Sequence, residues 1–327
     1  MEKIKFGIVG VGNQGSNYAL NLFEKGKIEN GVLTALCDCN PVKLDAVRAK
    51  LADPDSVRFF DSYADLLESG ACDAVIIAVP HELHPEMVMQ ALAKDIHVIS
   101  DKPAGVYAKQ VREMNEFAAK SKAKFGMMFN QRTNHIYRKI KELIDSGKYG
   151  QIRRTNWLIT NWYRPQAYYD SGDWRATWSG EGGGVLMNQC PHQLDLWQWI
   201  CGMPVKVTAH MKFGQWHDIE VEDDVTAYVE YENGATGVFV TSTGDVRGTN
   251  RLELQLEKAK LTVEGGKLLI EEYPLSNREF NAVNKDVYGK QQVTCREVET
   301  DGENPQHVGV LNAWAGAILR GEPLVAA

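Results

Sequence analysis

The sequence predicts a doubly wound α/β domain on a parallel sheet, followed by an α+β domain on a large, mostly antiparallel open sheet. Three observations carry this expectation. Residues 1–127 alternate strand runs with helical segments, whereas residues 128–327 carry successive strand runs with few helices between them. The length of 327 residues suits two domains rather than one. The strands of the first half are continuous apolar runs, the pattern of strands covered on both faces.

Taken in order, Ile4–Val9 reads as a strand and 16–25 as a helix. A second strand at 32–37 precedes a helix at 41–51, with Pro41 in its first turn. A helix at 61–68 leads to a buried strand at 73–79. Helix 85–93, strand 96–99, helix 109–120 and strand 124–128 complete the alternation. After a helix at 137–145 come strands at 152–161, 205–212, 225–231, 236–241, 252–256, 260–263 and 268–272. Asn233-Gly234 and Gly265-Gly266 supply hairpin turns between strand runs. A helix at 185–200 interrupts these strands, and another at 308–320 follows them. The ending 321–327, an apolar run with no polar tail, reads as a break inside a domain, so the native chain is expected to continue.

Composition narrows the function. With 36 Lys+Arg against 43 Asp+Glu the net charge is −7, which argues against a nucleic-acid or anionic-membrane partner. The longest apolar run, 74–79, is strand length and far short of a membrane span. The first nine residues run into a strand without an apolar leader, so the expected location is the cytoplasm. The six cysteines form no C-x-x-C pair and read mostly as small core residues.

The first chemical signal is Gly10-Val11-Gly12-Asn13-Gln14-Gly15, which fits G-x-G-x-x-G between a strand and a helix. Gly10 permits the tight turn, Gly12 lets backbone approach a pyrophosphate at the helix N-terminus, and Gly15 allows close packing. Asp38 stands 23 residues beyond Gly15, at the end of the second strand. Its carboxylate suits ribose hydroxyls and repels a 2′-phosphate, and Cys39 follows where an Arg would help a phosphate. NAD is therefore expected over NADP. Pro80, His81 and His84 end the next long strand, where loops line the ligand crevice. His81 and His84 form H-x-x-H, but no acidic or cysteine ligand is placed to complete a metal site, so no metal is expected. Lys102, in Asp101-Lys102-Pro103, follows the fourth long strand and suits a developing alkoxide. In the second half, Gly182-Gly183-Gly184 precedes Asn188, His192 and Asp195. On one helix these three share a face, with Pro191 kinking it. A histidine there suits a general base.

This ordered set resembles the glucose–fructose oxidoreductase/inositol dehydrogenase/rhizopine-catabolism (Gfo/Idh/MocA) family over essentially the whole chain. The resemblance implies an N-terminal Rossmann domain at 1–127 and a substrate-binding and oligomerisation domain at 128–327. It implies a nicotinamide cofactor and a sugar or cyclitol substrate. It also implies a homo-oligomer, dimer or tetramer, formed through the C-terminal sheet. Lys102 matches the family lysine of Glu-Lys-Pro, with Asp101 replacing the Glu, and His192 matches the catalytic histidine. Asn188 stands where many members carry Asp. An amide can orient a hydroxyl but cannot act as a base, so proton transfer falls to Lys102 and His192.

The expected dinucleotide contacts are Gly10, Gly12, Asn13, Gln14, Gly15, Asp38, Pro80, His81, His84 and Lys102. Lys102, His192 and Asn188 are the expected catalytic residues. Asn188, His192, Tyr163, Arg164, Trp174 and Arg175 are the expected substrate contacts, with His307 and Asn130 as further candidates. The leading reading is an NAD-dependent sugar or cyclitol dehydrogenase. Two alternatives are a redox-neutral glycoside-cleaving enzyme, working by transient oxidation and elimination, and a non-catalytic dinucleotide-binding regulator.

Overall fold

The computed structural model describes residues 3–326; Met1, Glu2 and Ala327, which closes the terminal apolar run, lie outside the described residues. The chain divides into two compact units. One comprises residues 1–133, 180–182 and 305–327, the other 134–179 and 183–304.

The first unit alternates strand and helix: β1 (Ile4–Val9), α1 (Asn13–Asn17), β2 (Gly31–Cys37), α2 (Pro41–Arg48), β3 (Arg58–Phe60), α3 (Tyr63–Glu68), β4 (Ala74–Ile77), α4 (His84–Leu92), β5 (His97–Ser100), α5 (Ala108–Ala118) and β6 (Phe125–Met127). The six strands are parallel in the order β3-β2-β1-β4-β5-β6. The order reverses between β1 and β4, and ligands of such sheets bind at the carboxyl ends beside that reversal. Helices cover both faces, and β4 is buried along its whole length. Two local readings change. The helix expected at 16–25 begins at Asn13 and winds as a π-helix over Tyr18–Phe23. Strand β3 went unforeseen, since three residues show too little alternation to register as a pattern.

The helix Gln306–Arg320 also belongs to this unit rather than to the second domain where the sequence reading set it. Its Val310, Leu311, Trp314 and Ala315 join the core of Phe6, Tyr18 and Phe23. The Trp314 ring lies 5.9 Å from that of Phe6. Periodicity shows that a helix has an apolar stripe; it does not say which sheet the stripe covers.

The second unit opens with α6 (His135–Asp145), β7 (Ile152–Ile159), α7 (Gln166–Tyr169) and α8 (Pro191–Cys201). There follow β8 (Lys206–Phe213), β9 (Glu222–Glu230), β10 (Thr236–Ser242), β11 (Asn250–Leu256), β12 (Ala259–Glu264), β13 (Lys267–Glu272), α9 (Asn277–Val283) and β14 (Thr294–Glu297). The last helix of the chain, in the first unit, is α10. The eight strands run β14-β13-β12-β11-β7-β10-β9-β8, antiparallel except between β7 and β10. Trp157, Phe239 and Leu254 point to one face, where Leu196, Trp197 and Ile200 of α8 and Ile136 and Ile140 of α6 cover them. Trp197 stacks on Phe239 at 5.2 Å. Polar residues including Arg154, Asn156, Glu253 and Lys260 line a broad cavity of about 1020 Å³.

The helix expected at 185–200 begins only at Pro191, which occupies the first turn and so does not kink it. Asn188 stands in the preceding turn. The predicted Asn188–His192–Asp195 face is therefore incomplete: only His192 and Asp195 share α8. Residues 185–190 fold as turns because Cys190 N and Gln189 N both reach back to Val185 O. Among the described residues, no helix is long and apolar enough to cross a membrane.

Candidate active site

In the first unit, β1 leads into Gly10, whose φ of +84° places it in the left-handed region. A Cβ there would lie 2.5 Å from Ala78 O, and one on Gly15 would lie 1.8 Å from Gly10 O. Both glycines are demanded by the packing of the turn itself. Gly12 is different: a Cβ on it would meet nothing within 4 Å. Its openness, at the start of a helix with no side-chain cap, suits the close approach of a phosphate to free N–H groups.

Asp38, 9% exposed, braces this turn. Its Oδ2 accepts from Val11 N at 2.8 Å and its Oδ1 from Asn40 N at 2.9 Å. A carboxylate has about four acceptor positions, so both oxygens retain capacity for ribose hydroxyls. The residues present fit an adenine dinucleotide without a 2′-phosphate. Asn13 is exposed at the helix start and Pro80 is exposed after β4.

His84 sits differently from the expectation. It is 1% exposed, and its ring nitrogens face Pro103 O at 2.7 Å and Val79 O at 2.9 Å. The imidazole braces the loop after β4 against the turn after β5 instead of facing a ligand. His81 Nδ1 lies 3.3 Å from Glu181 O.

At the end of β5, Asp101 is held on both oxygens. Oδ2 accepts from the buried Tyr18 hydroxyl at 2.9 Å, and Oδ1 accepts from Lys102 N at 2.8 Å. Burial, with Asp101 adding to it, pushes the Tyr18 phenol well above its ordinary range, so it stays a protonated donor. The π-helical winding sets Tyr18 in this place, and nothing in the glycine motif signals it. His307, near the start of α10, lies close to this group. Its Nε2 is 3.4 Å from Gln14 Nε2, Asn130 Nδ2 is 3.3 Å from the ring, and the ring packs edge-on to Tyr18 at 5.6 Å. Burial lowers the His307 pKa; Asp101 opposes this and Lys102 adds to it. The structure thus gathers Gln14, Tyr18, Asp101, Lys102, Asn130 and His307 within one unit.

In the second unit, His192 lies in the first turn of α8, with the buried Asp195 three residues on. The turn before it is held by Glu222, 5% exposed, which accepts from Gly184 N at 2.9 Å and Leu186 N at 3.1 Å. Gly184 is required here because a Cβ would lie 1.9 Å from Glu222 O. Asn188 Nδ2 donates to the Tyr168 hydroxyl at 3.3 Å. Arg175 donates to the same oxygen at 2.9 Å, and its guanidinium lies 4.5 Å from the rings of both Tyr168 and Trp174. Arg164 lies 5.2 Å from the Tyr168 ring. Tyr163 is exposed and gives only its carbonyl to Arg164. Tyr168, which joins these residues, was not singled out in the sequence; the aromatic-rich loop was the sole signal. Among the described residues, no group of three or more His, Cys, Asp or Glu side chains could hold a metal ion.

A parallel sheet of this order, with a glycine turn and an acidic residue at its switch point, defines a dinucleotide-binding Rossmann protein carrying a second, sheet-based unit. A family model for the NAD-binding Rossmann fold of an oxidoreductase family matches residues 4–129, and one for the GFO/IDH/MocA C-terminal domain matches 137–262. The chain belongs to the Gfo/Idh/MocA oxidoreductase family. It is 28% identical over 206 residues to the 1-carboxy-3-chloro-3,4-dihydroxycyclo hexa-1,5-diene dehydrogenase of Comamonas testosteroni, which covers 62% of this chain and 49% of that protein. It is 26% identical over 239 residues to the inositol 2-dehydrogenase of Leifsonia xyli, covering 71% and 64%. The chain thus spans about half to two thirds of the length of these curated relatives. The WlbA dehydrogenase of Bordetella pertussis, solved in complex with NADH and UDP-GlcNAcA, shares the fold at a TM-score of 0.78 and 26% identity, over 98% of this chain and 89% of that one.

Proposed function

We propose that this protein is an NAD-dependent dehydrogenase acting on a hydroxyl carbon of a sugar, sugar derivative or cyclitol. The observation that carries the reading is the fixed Asp101-Lys102 turn at the carboxyl end of β5, in the same unit as the glycine turn. The dehydrogenases of inositol and of a dihydroxylated ring among the relatives support the substrate class. So does the relative crystallised with a nucleotide sugar.

When bound, NAD supplies the hydride acceptor. The chain's own part is to hold the substrate oxygen and remove its proton. The Lys102 ammonium donates to that oxygen and lowers its pKa, because positive charge stabilises the developing alkoxide. Asp101 is tied by Tyr18 and by Lys102 N, so the turn carrying the lysine stays in place. His192 takes the hydroxyl proton, and Asn188 orients the hydroxyl. Such general base catalysis contributes ~10²–10⁴-fold. The wider reading includes a cytoplasmic location and a homo-oligomer built through the C-terminal sheet, whose exposed Val207, Met211 and Phe213 on β8 support it.

The test begins by denaturing purified protein and identifying any released dinucleotide, then following nicotinamide absorbance and aglycone release together with a panel of sugars, inositols and glycosides. Lys102→Ala should lower turnover by ~10²-fold or more, a larger loss than that in NAD affinity. Turnover at the wild-type level would overturn the assignment of Lys102. Release of an aglycone without net reduction would move the reading to redox-neutral cleavage.

A further inference from the structure

We infer that Arg164, Tyr168 and Arg175 form a carboxylate subsite, so that the preferred substrate is a sugar acid rather than a neutral sugar. The substrate class rests on the dehydrogenase reading; the anion preference rests on this cluster alone.

Tyr168 lies against two guanidinium groups, Arg164 at 5.2 Å and Arg175 at 4.5 Å from its ring centroid. Both arginines are half-buried. Arg138, Arg251, Arg296 and Arg320 each have a carboxylate within 4 Å. Among the described residues, neither Arg164 nor Arg175 has one. Arg164 donates through Nη1 to its neighbour's carbonyl, Tyr163 O, at 2.9 Å. Arg175 donates through Nε to Ser171 Oγ at 3.2 Å and through Nη1 to Tyr168 Oη at 2.9 Å. Asp170 of the same segment is taken by the Gln166 amide at 2.9 Å. Two partly dehydrated positive charges therefore stand side by side without a carboxylate partner, within reach of one incoming anion.

The remaining hydrogen-bonding capacity of Arg164, Tyr168 and Arg175 is that of donors. Tyr168 Oη accepts from Arg175 Nη1, from Asn188 Nδ2 at 3.3 Å and from Gln189 Nε2 at 3.5 Å. A phenol has two acceptor positions and one hydrogen. Its acceptor side is thus filled from the protein, and the hydrogen is left to donate outward. Arg164 Nε and Nη2 and Arg175 Nη2 are donors likewise. A surface offering donors and positive charge, with acceptors spent internally, selects an anion, and planar guanidinium forks match a carboxylate. The Asn188 bond to Tyr168 ties this group to the turn that leads into His192.

The test is equilibrium binding to the full chain with NAD present. Matched probes differ only in the carboxylate: D-glucuronate against D-glucose, free and as their UDP conjugates, with glucose 6-phosphate as a further anion. The carboxylate member should bind at least ~10-fold more tightly, and Arg175→Gln should erase that preference by weakening the acid far more than the neutral member. Arg164→Gln and Tyr168→Phe should each reduce it in part. Salt should weaken wild-type binding of the acid and not of the neutral sugar. Equal affinity for both members overturns the subsite, as does equal loss of both in a variant that melts like wild type. Tighter binding of glucose 6-phosphate than of glucuronate overturns the carboxylate assignment. If Arg175→Gln does not fold, Arg164→Gln and the salt series decide. Acid-selective binding with no reduction of NAD by any probe would sink the dehydrogenase reading and leave the subsite standing.

Discussion

At the scale of single residues, the glycine turn separates two demands that the motif G-x-G-x-x-G merges. Gly15 is a packing residue: its Cβ would stand 1.8 Å from a backbone oxygen that cannot move alone. Gly12 has φ −65° and open space around its Cβ, so the folded protein tolerates alanine there and only a ligand should object. Gly15→Ala should destabilise the ligand-free protein by about 1–3 kcal/mol, as overpacking does. Gly12→Ala should cost about 1 kcal/mol in the absence of ligand, the preference of a helix cap for Gly over Ala, yet remove most dinucleotide affinity. Thermal melts without ligand and NAD titrations of the two variants check both statements. Wild-type NAD affinity in Gly12→Ala would show that the phosphate does not approach this backbone. The motif gives all three glycines one spacing, whereas the surroundings of each separate the glycine that serves the fold from the one that faces the ligand.

At the scale of elements, the segment from Gly184 to Cys201 is organised by a residue far away in sequence. Glu222 on β9 gives both carboxylate oxygens to Gly184 N and Leu186 N, and Val185 N returns a bond to Glu222 O at 2.9 Å. Removing the side chain leaves one buried and one part-buried donor without an acceptor, which should cost about 1–3 kcal/mol. Glu222→Ala should therefore lower the denaturation midpoint, and Glu222→Gln, which keeps one carbonyl oxygen, should recover part of the loss. A change below ~0.5 kcal/mol in Glu222→Ala would mean the turn holds itself. Apolar periodicity runs through 185–200, but Gln189 N and Cys190 N both turn back to Val185 O, so regular winding starts only at Pro191. Most strands were legible because they alternate or run apolar between turn residues, as Leu252, Leu254 and Leu256 do on β11. Short elements were not. β3 and β14 have three and four residues, and α9 is announced only by the Ser276–Glu279 capping box. The catalytic candidates Lys102 and His192 came from motif order, whereas Tyr18, Tyr168 and Glu222 act through contacts that no local pattern encodes.

At the scale of the whole molecule, the N-terminal unit is completed by α10 from the far end of the chain, and this makes its stability sensitive to two histidines on different elements. His97 on β5 accepts from Lys124 N at 2.9 Å through Nδ1, so protonation there would remove an acceptor. Burial lowers its pKa; Lys124 adds to this, and Asp73 and Asp95 oppose it. His307 on α10 is lowered by burial as well, with Lys102 adding and Asp101 opposing. For both, the folded pKa lies below the unfolded value of about 6.5. The unfolded chain therefore binds more protons in this range, and stability must fall as pH drops. The sign follows directly: the contribution is complete above the unfolded pKa and is lost as pH falls through it toward the folded value. The melting temperature of the ligand-free protein should thus decline from pH 7.5 to pH 5.5, before most carboxylates titrate. A variant with His97→Asn and His307→Gln should show a shallower slope over that interval, whatever its absolute stability. Calorimetry across the interval gives the answer, since a flat wild-type profile, or one unchanged in slope in the double variant, would place the proton-linked stability elsewhere in the molecule.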